Sequence, residues 1–305
     1  MFETVLTQVV ILFILIFLGL TLTKTKVFTE NGIKGMTDLV LYLVTPCVMI
    51  KSFAREFSPK LLKNLLLSIG LTFLLHLVFI LISKLVLRSK NITRQNVLQF
   101  AVIFSNCGFM AIPLLQALLG DDGVFYGSGY IAAFQVAIWS YGIFLIGGKE
   151  AISVKKMFVN PGVIGFILAL AVFCIGIPLP KVIFEPVSYM ASLNTPLPML
   201  IIGYHLANSN VLQGLKDIKL LFTCVLRLFI LPIIAVFIFY LLGLHGALPL
   251  ALSICASAPT AALVTMFASK FESDTALSVT AVSLTTLLSI ASMPVVITLA
   301  EALLK

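Results

Sequence analysis

The stretch Phe104-Ser105-Asn106-Cys107-Gly108-Phe109-Met110-Ala111-Ile112-Pro113 lies inside an apolar run long enough to span a membrane, yet carries Ser, Asn, Gly and Pro. A proline inside a helix removes one backbone hydrogen bond and clashes with the preceding turn, at a cost of about 3 kcal/mol. Irregular backbone at membrane depth survives only against protein or a water-lined cavity. Alone, this span would be read as a proline kink. A second run, Cys255-Ala256-Ser257-Ala258-Pro259-Thr260, places Pro259 at a matching depth beside Ser and Thr. Two breakers at equivalent depth, each flanked by polar side chains, point instead to a pair of broken helices around a ligand site.

The rest of the chain supports a membrane setting. Of 305 residues, 60% are hydrophobic and only 10% charged, and the mean hydropathy is +1.15. That leaves too little polar surface to clothe a water-soluble globule. The formal net charge of +8 does not imply nucleic acid, because the cations sit in short gaps between apolar runs. All five Cys fall within apolar runs without metal-ligand spacing, so no metal or other cofactor is expected. The first apolar run lacks a basic n-region and reads as a span rather than a signal peptide.

Cutting at Gly, Pro and charge clusters gives ten candidate transmembrane helices: 4–23, 34–54, 61–87, 97–119, 123–147, 161–179, 183–207, 217–242, 246–270 and 275–303. With an extracytoplasmic N-terminus, thirteen of the 20 Lys and Arg gather at cytoplasmic ends and six at outer ends, leaving Arg227 alone at span depth. Both termini are then extracytoplasmic. The loop between spans 2 and 3 runs against the trend, since it holds Lys51, Arg55, Lys60 and Lys63.

Sliding the second half onto the first exposes an internal repeat. A shift of 150 lays Leu193-Asn194-Thr195-Pro196 on Leu43-Val44-Thr45-Pro46, and a shift of 151 lays Arg227 on His76 and Ser257 on Asn106. Each copy holds five spans, an odd number, so the second enters the membrane from the opposite side. The expected plan is all-α and polytopic, with two inverted repeats of five (1–147 and 161–305) joined by a short cytoplasmic linker (148–160). That is a plan of secondary transporters.

Breaking spans 4 and 9 leaves two half-helix N-termini near the midplane, each equivalent to roughly half a positive charge with free N–H groups. No Asp or Glu stands in the middle of any span. The amide of Asn106, the hydroxyls of Ser105, Ser257 and Thr260, and the backbone around Gly108, Pro113 and Pro259 therefore suit a carboxylate. Gln135, one turn from Trp139, is a further candidate to line the site, with Thr286 its repeat mate. Arg227 and His76 are candidates for support or coupling: Arg227 either binds substrate or donates to carbonyls of a broken helix, and His76 is either a proton relay or a packing residue.

Ser-Asn-Cys-Gly-Phe-Met-Ala-Ile-Pro-Leu-Leu (105–115), Ala-Pro-Thr-Ala-Ala-Leu-Val-Thr-Met-Phe-Ala-Ser-Lys-Phe (258–271) and the five-plus-five plan together resemble the auxin efflux carrier family over essentially the whole chain. That family includes plant auxin exporters and bacterial malate- or malonate-type permeases and is related in fold to the bile acid:sodium symporters. The resemblance implies that spans 4 and 9 cross. It also implies that Asn106, seven residues before Pro113, contacts a substrate carboxylate, with Pro259 marking the second break. Two departures favour a bacterial plasma-membrane permease for a small mono- or dicarboxylate over an auxin exporter. The family's Gly-Ile-Pro reads Ala111-Ile112-Pro113, and the central loop is short.

The expectation is thus a non-enzymatic secondary carrier of an organic anion working by alternating access, since paired acids, a Ser with its base or metal ligands at depth are missing from the sequence. A ligand-sensing receptor built like a transporter is the alternative. Na+ or H+ coupling stays open, as does a homodimer; the other expected partner is the lipid bilayer, and no nucleic acid is expected.

Overall fold

A computed structural model of the chain describes residues 2–176 and 179–305, apart from the side chains of Val154 and Lys156. Ile177 and Pro178 of the expected 161–179 span, and the side chain of Lys156 in the linker, lie outside the described residues. The principal elements are α1 (Phe2–Lys24), α2 (Glu30–Phe53), α3 (Pro59–Val86), α4 (Ile92–Ile103), α5 (Cys107–Gly147), α6 (Pro161–Ile175), α7 (Lys181–Ser192), α8 (Pro196–Ala207), α9 (Ile218–Leu241), α10 (Ala247–Ser257), α11 (Leu263–Lys270) and α12 (Thr275–Leu304). Among the described residues there is no strand, and the only β pairing is an isolated bridge between Ser105 and Thr260.

Among the described residues six helices, α1, α2, α3, α5, α9 and α12, are long and apolar enough to cross a membrane, so the molecule is a multi-pass membrane protein. The other expected spans are helical but short or interrupted. The run expected over 97–119 is non-helical at 104–106, that over 183–207 turns at 193–195, that over 246–270 opens at 258–262, and α6 stops where Gly176 adopts φ 67°.

At 41 residues, α5 would be about 60 Å long if straight, twice a bilayer's hydrocarbon thickness. It reverses at Gly120, whose φ of 63° and ψ of −151° are open to glycine. The two limbs then pack on each other so closely that a Cβ on Gly127 would collide with the Leu115 side chain.

Pro259 falls within the 258–262 opening, but three other prolines sit inside continuing helix. Among the described residues, three of the four π-helical turns end two residues before a proline: Val40–Val44 before Pro46, Cys107–Ala111 before Pro113 and Leu226–Ile230 before Pro232. The wide turn absorbs the missing N–H and the clash with the preceding carbonyl, so helix continues through the proline. Pro46 therefore sits within α2.

The helices fall into two packing groups. In one, α1 runs along α8, and α2 packs on α6 and α7. Gly19 of α1 and Gly203 of α8 lie against the partner backbone, at Leu200 and Ile16, with no room for a Cβ on either. Small residues of this kind let membrane helices approach to backbone contact. In the other group α3 and α10 flank α5, while α12 touches α4, α9, α10 and α11 and also packs across the boundary on α1.

Candidate functional site

Two helices stop inside the protein and meet. After Ile103 the chain is extended through Phe104 (φ −102°, ψ 115°) before turning into α5, and after Ser257 it is extended at Ala258 (φ −62°, ψ 149°) before α11. The two breaks satisfy each other's backbone. Asn106 N donates to Pro259 O at 2.6 Å, and Ala261 N donates to Phe104 O at 2.9 Å, which sets Ser105 opposite Thr260. This short antiparallel patch removes four backbone groups from the list that a buried break would otherwise leave unmet.

Arg227 satisfies four further carbonyls. Fully buried in the π turn of α9, its Nε donates to Ala258 O (3.1 Å), Nη1 to Val102 O (2.9 Å) and Ile103 O (3.4 Å), and Nη2 to Ala256 O. The guanidinium thus joins the C-terminal ends of α4 and α10, where cations are favoured by the helix dipole and by bare carbonyls. Of the two roles open for it in the sequence, carbonyl donation is the one present in this conformation. His76, which the sequence shift of 151 lays on it, does something different: Nδ1 lies 2.8 Å from Thr72 O in its own helix, and the ring is enclosed by Phe79, Phe104, Tyr130 and Phe134.

Several hydroxyls from the expected site are already engaged. Ser257 donates to Ile254 O (2.9 Å) and Thr260 to Ala101 O (2.8 Å), while Ser105 Oγ lies 3.5 Å from the buried Tyr130 hydroxyl. Thr285 Oγ1 accepts from Thr260 N at 3.2 Å, a backbone donor that the break leaves without a helical partner. Other polar atoms are left over. Asn106 Nδ2, Gln135 Oε1, His76 Nε2 and Thr286 Oγ1 are buried with no hydrogen-bond partner among the described residues.

Asn106 is the most telling of these. It holds the N-cap position of α5, where Asn ordinarily accepts a hydrogen bond from the first turn, yet it makes no such bond and is only 4% exposed. A buried amide without a partner costs about 1–3 kcal/mol. Beside it, Gly108 has no atom of the described residues, its chain neighbours and own helix backbone aside, within 4 Å of where a Cβ would stand, so the first turn of α5 borders open space. The next residue, Phe109, reaches across to Ile33, Val40 and Ile201 of α2 and α8. The break therefore lies at the boundary between the two packing groups.

A cavity of about 390 Å3 opens along the same boundary, at the end nearer the 148–160 linker. It is lined by Asp38, Tyr42, Gln135, Trp139, Gly162 and Lys270 among others. Gln135 is the expected site residue that lines it; Asn106, Ser105, Ser257 and Thr260 do not. The opposite end of the boundary is closed. Phe53 of α2 stacks on Phe125 of α5 at 4.5 Å, and both meet Phe173 of α6 at 6.1 and 5.2 Å. Above them Arg55 pairs with Asp122 at 2.5 Å and lies over the Phe125 ring. Apolar residues inside a membrane carry no positional signal, so this plug was not legible in the sequence; Tyr130, a phenol in the middle of an apolar run, could have been singled out and was not.

A multi-pass helical protein with two broken helices joined at depth and an unsatisfied amide at their meeting point has the anatomy of a membrane transport protein. A family model for membrane transport proteins matches residues 4–154 and 150–297, and the chain belongs to that family, the auxin efflux carriers. It is similar to an uncharacterised transporter of Methanocaldococcus jannaschii, with 21% identity over 92% of this chain and 94% of the relative. It is also similar to one of Methanothermobacter thermautotrophicus, with 26% identity over 65% of each. Membership of a transport family agrees with a non-enzymatic role.

Proposed function

We propose that this protein is a secondary transporter of a small organic anion, a mono- or dicarboxylate, held where the broken helices cross and carried by alternating access. The observation that carries the reading is the Asn106 amide: buried, not capping its helix, and set beside open space at Gly108. A carboxylate there would accept from the amide and from first-turn N–H groups of α5, with the helix dipole behind them.

In this reading the chain has ten spans, arranged as inverted repeats over 1–147 and 161–305. The group containing α3, α4, α5 and α9–α12 moves against α1, α2 and α6–α8. The asymmetry of the boundary supports such motion. Along α5, Gln135 in the cavity and Phe125 in the plug are ten residues, about 15 Å, apart. Tyr42 and Phe53 of α2, and Gly162 and Phe173 of α6, repeat that polarity at about 16 Å. Three helices thus open toward the linker and close with phenylalanine at the far end, as in one of the two states of an alternating carrier. In this reading the linker is cytoplasmic and both termini lie outside the plasma membrane, an orientation that the cation bias supports.

Counterflow in proteoliposomes tests the proposal: preloaded unlabelled carboxylate should drive uptake of the labelled acid. Stabilisation by the acid without counterflow would assign the chain to ligand sensing instead.

A further inference from the structure

On the linker side of the membrane, the end of α3 and the first turn of α9 form a groove of about 180 Å3 against α4. Val86, Leu98, Ile218 and Phe222 line it, and Arg88 and Lys219 stand on its rim. Lys219 Nζ donates to Arg88 O at 3.3 Å, which keeps both cations at one edge. Lys84, Lys90 and Lys216 lie within a few residues. The ion pairs among the described residues are Arg55–Asp122, Arg94–Asp217 and Lys305–Glu301, so no carboxylate there neutralises any of these five cations. The acid next to the groove in sequence, Asp217, is held by Arg94 and by the Leu220 N–H and does not line the groove.

The groove lies where α3 ends, which is the depth of the interface between hydrocarbon and headgroups. Its floor is strongly apolar and open: Ile218 is 82% exposed, and Val86 and Phe222 are also exposed. Such side chains face acyl chains. A soluble anion would match the rim and leave the floor uncovered, whereas a neutral lipid would cover the floor and leave the cations without a counter-charge. A molecule anionic at one end and hydrocarbon at the other matches both. We propose that this groove binds an acidic phospholipid, with its phosphate between Arg88 and Lys219 and an acyl chain along Ile218, Phe222 and Val86. The lipid would bridge α3 and α9, the helices that carry His76 and Arg227, at a place remote from the proposed carboxylate site.

The test uses the full-length protein in neutral detergent, titrated with phosphatidylglycerol, phosphatidylcholine or glycerol phosphate and followed by thermal unfolding and by native mass spectrometry. Phosphatidylglycerol should raise the unfolding temperature and remain bound in the spectrum, and the other two should do neither. Arg88→Gln/Lys219→Gln should weaken phosphatidylglycerol binding about 25-fold, at about fivefold for each cation removed near a lipid surface. Ile218→Ser/Phe222→Ser, which leaves charge unchanged, should weaken it too. Lys60→Gln/Lys63→Gln, at the opposite end of α3, should leave it unaltered. Equal binding by wild type and the Arg88/Lys219 variant would overturn the proposal. So would equal loss in the Lys60/Lys63 variant, which would mean diffuse surface charge, or an equal response to glycerol phosphate, which would mean a free-phosphate site.

Discussion

Replacing Gly108 by alanine separates the space beside the break from the structure that encloses it. Apart from its chain neighbours and its own helix backbone, no atom of the described residues lies within 4 Å of the added methyl, and Gly108 is not among the glycines with positive φ. The folded protein should therefore accept the substitution without strain. Because glycine loses more backbone freedom on folding than alanine, unliganded stability should be unchanged or rise by about 0.5–1 kcal/mol. Ligand binding should respond in the opposite direction. A methyl forced into an occupied site costs about 1–3 kcal/mol, a loss of roughly 5- to 150-fold in affinity. The assay is a pair of titrations on wild type and Gly108→Ala: thermal unfolding against the carboxylate that most stabilises wild type, and uptake of the same acid into proteoliposomes. Unchanged affinity would remove the space beside Gly108 from the site. A loss of unliganded stability would show that the space is not there.

Arg227→Met should strand the carbonyls of Val102, Ile103, Ala256 and Ala258 and destabilise the protein, at about 1–3 kcal/mol for each carbonyl left unmet. Arg227→Lys should not restore it, because one ammonium cannot reach both helix ends; full rescue by Lys in a denaturation assay would deny the carbonyl-joining role. Cysteines at Phe53 and Phe125, whose side chains meet across the boundary, should stop transport when joined by a short bifunctional thiol reagent applied from the far side, while leaving Trp139 substituted by Cys reactive from the linker side. Transport at the uncrosslinked rate would mean that the plug does not move. Burial alone would raise the Asp217 carboxyl, but hydrogen bonds from Arg94 and Leu220 N outweigh it and hold its pKa below the ordinary 3.8. Its stabilisation is therefore complete above that value and lost as pH falls through the lower folded value. Asp217→Asn should cost up to about 1 kcal/mol at neutral pH and nothing in strong acid, as read from chemical denaturation at the two pH values.

Much of this arrangement was legible in the residues, though not in the detail that matters for chemistry. The breaks in spans 4 and 9 follow from Pro, Gly and polar residues inside apolar runs, and they occur, at 104–106 and 258–262. Pro113, however, marks the end of a π turn rather than the break itself, because a wide turn can absorb a proline and composition does not report turn width. Arg227 was visible as a misplaced charge, but its partners are carbonyls, which every residue possesses and no sequence pattern distinguishes. The engagement of Ser257 and Thr260 with nearby backbone was hidden for the same reason. Phe53, Phe125 and Phe173 carry no signal among the 24 Phe of the chain; only their convergence in space makes them a plug.

The most direct test of the central claim is equilibrium binding of the stabilising carboxylate to Asn106→Ala. Removing a side chain that caps nothing should leave the unliganded unfolding temperature unchanged or higher. Affinity should fall about 10- to 150-fold, since a hydrogen bond to a charged group contributes about 1.5–3 kcal/mol. Wild-type affinity in a folded Asn106→Ala protein would contradict the account and move the anion away from the meeting point of the broken helices.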